Sequence, residues 1–184
     1  PMPLVSPIEM LRAAREGRYA VGAFNAVDYM TIEAVVHEAQ ARRAPVIVQT
    51  SSGVIKRFGV RALAAMARDI AADTTVPVAL HLDHGTDAAV IRQAIACGYP
   101  SVMIDASKHP FDENVRRTAE IVQAAHAAGV AVEGEVGVVA GVEDDIVIKA
   151  DKAIYTTPEE AVEFQRRTGV DFLAAAIGTA HGFY

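Results

Sequence analysis

Six short runs of Val, Ile, Ala and Leu in this 184-residue chain each lead into a residue that can bind a metal or exchange hydrogen bonds. Asn25 follows the first run, Gln49 and Ser51 the second, Asp83 and His84 the third, and Asp105 the fourth; Glu135 closes the fifth and His181 lies just past the sixth. The densest group is His81-Leu82-Asp83-His84-Gly85. Two imidazoles and a carboxylate are borderline ligands suited to Zn²⁺, and glycine lets the backbone turn tightly beside them. His81 reads as a hydrogen-bonded core histidine, the commoner fate of a histidine inside an apolar strand. His84 reads as a ligand, because His181 offers a second imidazole from a separate rigid element. Asp105 and Glu135 are carboxylates at apolar strand ends, where an acid needs a partner; an ion pair or a helix cap is the plainer alternative for each. Glu133 and Glu135 alternate onto the same strand face, so either could be the functional one. His37 and His126 fall within helical patterns and His109 precedes Pro110, which leaves them no evident chemistry.

Two further features bear on mechanism. The stretch from Gly137 to Thr156 reads as a loop of about 20 residues, a length compact domains reserve for lids and binding elements. Its Glu143-Asp144-Asp145 cluster could deliver a mobile base, a solvated acidic loop being the alternative. The four lysines, Lys56, Lys108, Lys149 and Lys152, all avoid the strand ends. A Schiff-base lysine would have to be aimed into the site, so electrophilic chemistry would fall to a metal.

The elements that must position these residues alternate. Strands are predicted at Tyr19–Phe24, Pro45–Thr50, Pro77–Leu82, Ser101–Ile104, Val130–Glu135 and Asp171–Ile177, from their apolar, β-branched character. Helical spacing of apolar residues predicts helices at Pro7–Arg15, Thr31–Arg42, Arg61–Ala72 and Asp112–Ala128, the last capped by Asp112, and Thr157-Pro158-Glu159-Glu160 reads as the start of another. Strand–helix alternation implies a parallel α/β sheet in one domain spanning 1–184. Strand centres recur about every 31 residues, and an eight-stranded (β/α)8 TIM barrel typically takes about 250 residues. The expectation is therefore the first six strands of such a barrel, in a protein that continues by a hundred or so residues. An open doubly wound sheet is the competitor, but it should carry a glycine-rich turn after its first strand; here that turn is Asn25-Ala26-Val27-Asp28.

Composition removes other classes. A chain that is 52% hydrophobic with a net charge of −6 and no basic tract is neither disordered nor built for nucleic acid or anionic membrane. No apolar run approaches the roughly 20 residues of a membrane span. A lone Cys97 and an N-terminus without the pattern of a signal peptide point to a reducing, cytoplasmic setting.

Taken together, Val21-Gly22-Ala23-Phe24-Asn25, Ala44 to Gln49, Val78 to Gly85, Ser101 to Asp105, Val132 to Gly137 with Gly141 and Glu143-Asp144, and Gly178-Thr179-Ala180-His181-Gly182 form a linked set. In order and spacing the set resembles the class II, metal-dependent ketose-bisphosphate aldolases that act on fructose or tagatose bisphosphate. The resemblance implies reversible cleavage to dihydroxyacetone phosphate and glyceraldehyde 3-phosphate through a metal-stabilised enediolate. It implies that His84 and His181 hold a catalytic Zn²⁺, that Asp105 and Glu135 serve an alternative or second metal position, and that Asp83 exchanges a proton with the aldehyde-side oxygen. Glu143 would move the proton at the dihydroxyacetone phosphate carbon. Asn25 and Ser51 would contact substrate, and the Gly182 backbone would contact the triose phosphate or a monovalent cation. The family's third zinc histidine and its phosphate-binding residues follow strands seven and eight, beyond Tyr184. Small sugar phosphates are then the expected partners, in a homodimer or homotetramer. Two other readings compete: a catalytically silent barrel fragment that binds metal or associates, and a different divalent-metal enzyme acting on a phosphosugar. Nothing in the residues decides between fructose and tagatose bisphosphate.

Overall fold

The computed structural model of the chain describes residues 4–143, 146–148 and 153–181, with the side chains of 140, 142, 143, 146–148 and 181 left aside. Six strands form one parallel sheet: β1 (Gly22–Asn25), β2 (Val46–Ser51), β3 (Val78–Asp83), β4 (Ser101–Ile104), β5 (Ala131–Val136) and β8 (Phe172–Ala175). They lie side by side in chain order. A doubly wound sheet reverses its winding part-way across; this one never does, so the sheet is a partial barrel wall with β1 and β8 as its edges.

Seven helices are described: α1 (Pro7–Gly17), α2 (Tyr29–Arg42), α3 (Ser52–Phe58), α4 (Val60–Ala71), α5 (Ala88–Ala96), α6 (Phe111–His126) and α7 (Pro158–Thr168). Local chemistry sets their ends. Asp28 and Thr31 make a reciprocal capping box on α2, and Thr157 and Glu160 make another on α7, satisfying backbone N–H groups that the first turn leaves without partners. The start of α6 corrects the sequence expectation: Pro110 is the N-cap, Phe111 opens the helix, and Asp112 lies inside the first turn, where its carboxylate pairs with Arg167 at 2.7 Å. Proline's fixed φ sets that boundary, two residues before a cap at Asp112 would. α3 and α5 are additional to the predicted helices; at seven and nine residues they are too short to show a repeating apolar pattern.

The described residues of the stretch 137–156 include two strands where the sequence reads as a loop. β6 (Ala140–Glu143) and β7 (Ile146–Ile148) form an antiparallel hairpin, and β6 also pairs in parallel with β9 (Ala180–His181). The β-branched residues Val142, Ile146, Val147 and Ile148 suit a strand. The base of the hairpin is tied by a Val138–Ile154 bridge and by Thr156, whose hydroxyl donates to the Val136 carbonyl at 2.6 Å.

The core lies between sheet and helices. All six residues of β3 are buried, and α4 packs Val60, Leu63, Ala64, Ala67 and Ile70 against the sheet. Alternation along β5 decides where its acids go. A Cβ on Gly134 would stand 2.8 Å from Phe164 and 3.1 Å from Val170, so this position faces α7. Glu133 and Glu135 therefore face the opposite way, into the barrel interior. Gly134→Ala is expected to overpack the β5–α7 contact and cost about 1–3 kcal/mol, read as a lower urea midpoint with an unchanged slope.

Candidate metal centre

β3 ends in Asp83, in register with Ser51 on β2. The next residue, His84, has φ +46°, a left-handed conformation uncommon outside glycine. Two contacts hold it there: its carbonyl accepts the Ser52 hydroxyl at 2.8 Å, and its N–H lies 3.4 Å from Met103 Sδ. Gly85 follows because nothing larger fits. A Cβ there would stand 2.4 Å from the Met103 carbonyl oxygen. The close approach lets the Gly85 carbonyl accept the Asp105 N–H at 2.8 Å, which ties the end of β3 to the end of β4.

That tie places Asp105 beside His84. Asp105 Oδ2 lies 3.1 Å from His84 Nδ1, while Oδ1 accepts the Ser107 hydroxyl at 2.7 Å and the Ser107 N–H at 3.1 Å. Glu135, from the end of β5, brings Oε2 to 3.6 Å from the same imidazole nitrogen. One donor atom from each of His84, Asp105 and Glu135 lies within 4.8 Å of the others. Ligand bonds of about 2.1 Å in a tetrahedron put neighbouring donors about 3.4 Å apart, close to the two distances measured from His84. The donor set, one imidazole and two largely buried carboxylates, is of the type that holds a divalent cation.

Burial by itself would raise the Asp105 carboxyl, but the hydrogen bonds from His84 and from the Ser107 hydroxyl and N–H outweigh it and hold the group below its ordinary value of 3.8. Asp105 is thus ionised at neutral pH and needs no deprotonation to act as a ligand.

His84 and Glu135 of the cluster line a cleft of about 320 Å³, whose walls also include Gln49, Asp83, Glu133 and Thr179. Gln49, noted in the sequence only as a strand-end residue, and Glu133, the alternative there to Glu135, are both wall residues. His81 is buried, with Nδ1 2.7 Å from the Ser101 hydroxyl and Nε2 3.3 Å from Glu133 Oε2, in keeping with a polar core histidine. Ser51 lines a separate groove of about 620 Å³ with Asp28 and Arg57, at the same end of the sheet. Asn25 is exposed at the end of edge strand β1, paired in register with Gln49. The backbone of His181 pairs with Gly141, and Glu143 stands opposite Ile146 at the end of the hairpin. The side chains of His181 and Glu143, and all of Gly182, Asp144 and Asp145, lie outside the described residues.

Two outcomes follow. Gly85→Ala should push β3 and β4 apart at their ends and weaken Zn²⁺ or Co²⁺ binding by about 10–100-fold, measurable by titration with the metal. In metal-free protein, the depressed Asp105 value contributes stability that is present above the ordinary carboxylate range and lost as pH falls through the lower folded value. The stability difference between wild type and Asp105→Asn should therefore shrink below about pH 4, as read by urea denaturation.

The geometry can be set beside known proteins. Residues 5–184 match the family model described as fructose-bisphosphate aldolase class-II. The chain is 46% identical to the fructose-bisphosphate aldolase of Thermus caldophilus over 181 residues, 98% of this chain and 59% of that protein. Against the fructose-bisphosphate aldolase of Geobacillus stearothermophilus it is 46% identical over 186 aligned positions, all of this chain and 64% of the other. Among solved structures, the YdjI aldolase of Escherichia coli K12 superposes with a TM-score of 0.85 at 34% identity, over 97% of this chain and 64% of that one. The fructose-bisphosphate aldolase of Campylobacter jejuni gives a TM-score of 0.79 at 26% identity, over 98% and 60%. The chain thus spans about three-fifths of the length of these relatives. With a family match running from residue 5 to residue 184 and relatives at 46% identity, the chain belongs to the class-II fructose-bisphosphate aldolase family.

Proposed function

We propose that this protein is a Zn²⁺-dependent aldolase that reversibly cleaves a ketose 1,6-bisphosphate, fructose or tagatose, to dihydroxyacetone phosphate and glyceraldehyde 3-phosphate. The observation that carries the reading is the convergence of His84, Asp105 and Glu135, two of which line a cleft together with Asp83, in a chain of this family. His84, joined by His181, would hold the cation, with Asp105 and Glu135 serving it directly or at a second divalent position. A Lewis-acid cation bound there supplies positive charge against the enediolate that cleavage of a C–C bond beside a ketone leaves behind.

The remaining work falls to the protein's own groups. Asp83 is buried at the cleft wall next in sequence to a ligand, so a hydroxyl directed at the cluster comes within its reach. It takes the proton from the C4 hydroxyl as the C3–C4 bond breaks and that carbon becomes an aldehyde. Glu143, carried on the β6–β7 hairpin, returns a proton to C3 to complete dihydroxyacetone phosphate; in the synthetic direction it removes that proton. The backbone pairing of β6 with β9, Gly141 opposite His181, supports a site to which both segments would contribute. Water excluded by the hairpin cannot quench the carbanion. Asn25 and Ser51 would hold polar groups of the substrate, and the Gly182 backbone a phosphate oxygen or a monovalent cation. The resemblance also carries a cytoplasmic homodimer or homotetramer. Among the described residues no helix is long and apolar enough to cross a membrane.

The discriminating experiment compares two variants. Asp83→Ala is expected to keep near-normal Zn²⁺ content while kcat falls by about 10²–10⁴-fold, whereas His84→Ala loses the metal. Equal metal loss in both would remove Asp83 from the proton-transfer role. Rates of triose phosphate release from fructose and tagatose bisphosphate then assign the sugar, and chelator-sensitive turnover of a sugar phosphate without triose release would favour a different phosphosugar chemistry.

A further inference from the structure

The apolar stripe of α6 is interrupted by a buried polar pair. Asn114 is 3% exposed and Thr118 fully buried, one helical turn apart, among Val115, Ile121, Val122 and Ala125. An amide inside a helix has lower propensity than leucine, and burying it costs free energy unless its hydrogen bonds are made. The sheet explains what it is for. β8 takes the carbonyls of Val132 and Val136, through the N–H groups of Asp171 at 2.9 Å and Ala176 at 3.2 Å. The alternate residues of β5, Glu133 and Glu135, therefore turn their backbone groups toward β4.

β4 ends too early to meet the second of them. Its last residue, Ile104, is in register with Gly134, and the chain then turns away as the Asp105 N–H bonds back to Gly85. The Glu135 carbonyl projects past the end of its neighbour. Asn114 fills the gap, donating from Nδ2 to that carbonyl at 2.8 Å. Its other end is fixed as well: Oδ1 accepts the Thr118 hydroxyl at 3.1 Å, which sets the amide with its NH₂ toward the strand. A leucine here would fit the stripe but would remove the donor that Asn114 brings to the carbonyl of the one residue of β5 whose side chain joins the metal cluster.

We infer that Asn114 is a positioning residue for the metal centre, acting through the Glu135 backbone to hold that carboxylate at the distance from His84 that a shared cation requires. The inference rests on the reading of His84, Asp105 and Glu135 as a metal site. Thr118 serves it in turn by orienting the amide.

The test is Co²⁺ titration, followed by the visible absorption of the bound ion, of wild type, Asn114→Leu, Thr118→Val, Val122→Ala and His84→Ala. Asn114→Leu should weaken Co²⁺ binding about tenfold and alter the absorption bands, since one ligand is displaced. Thr118→Val, which leaves Asn114 in place but frees its amide, should weaken binding about threefold and keeps the question answerable should Asn114→Leu fail to fold. Val122→Ala truncates the same helix face without touching Glu135, so it should lower thermal stability and leave the affinity and the spectrum unchanged. Wild-type affinity in both polar variants, or an equal loss in Val122→Ala, would overturn the role of Asn114. Unaltered binding in His84→Ala would instead overturn the metal-site reading itself, and the inference with it.

Discussion

Three carboxylates, Asp83, Asp105 and Glu135, are buried at one end of a parallel sheet, two of them beside the His84 imidazole. Carboxyl groups so placed forgo hydration, and each needs hydrogen bonds or counter-charge that the apolar strands beneath cannot supply. Much of the surrounding structure answers that demand. Asp105 is supplied by Ser107 and His84, the Glu135 backbone by Asn114, and the His84 backbone by Ser52. The donor geometry of His84, Asp105 and Glu135 could also accommodate a metal ion.

The same constraint accounts for the irregular backbone. Asp105 can reach His84 only if β3 and β4 come together at their ends, and they do so where Gly85 presses against the Met103 carbonyl. His84 is held in a left-handed conformation in the turn that makes this approach. Backbone strain of this kind persists where neighbouring contacts over-determine it. The short β4 belongs to the same arrangement: by stopping at Ile104 it frees the chain to deliver Asp105, and it exposes the Glu135 carbonyl that a helix side chain then satisfies.

Much of this was legible from residue order. The strand runs, the helix start at Thr157 and the repeat near 31 residues announced a barrel-type α/β sheet, because local periodicity and start signals are properties of a few neighbouring residues. Asp83, His84, Asp105 and Glu135 could be singled out because acids and imidazoles at the ends of apolar runs are conspicuous. The short helices α3 and α5 and the β6–β7 hairpin were less legible, since seven or nine residues carry too little pattern to separate from a loop. The start of α6 was misplaced because an N-cap made by proline leaves no side-chain signature of the usual kind.

What the sequence by itself determined is the kind of chemistry: hard and borderline ligands, no strand-end lysine, and alternating elements that send those ligands to one end of a sheet. Only the tertiary structure decided which of them meet. Glu135 rather than Glu133 joins His84 and Asp105, although both face the interior, because Glu135 lies one pleat repeat further toward the strand end where the other two converge. Asn114 acquires its meaning only from the strand that ends beside it. Such choices depend on register and strand length across neighbours about 20–50 residues apart, quantities that a local reading of residue types does not contain.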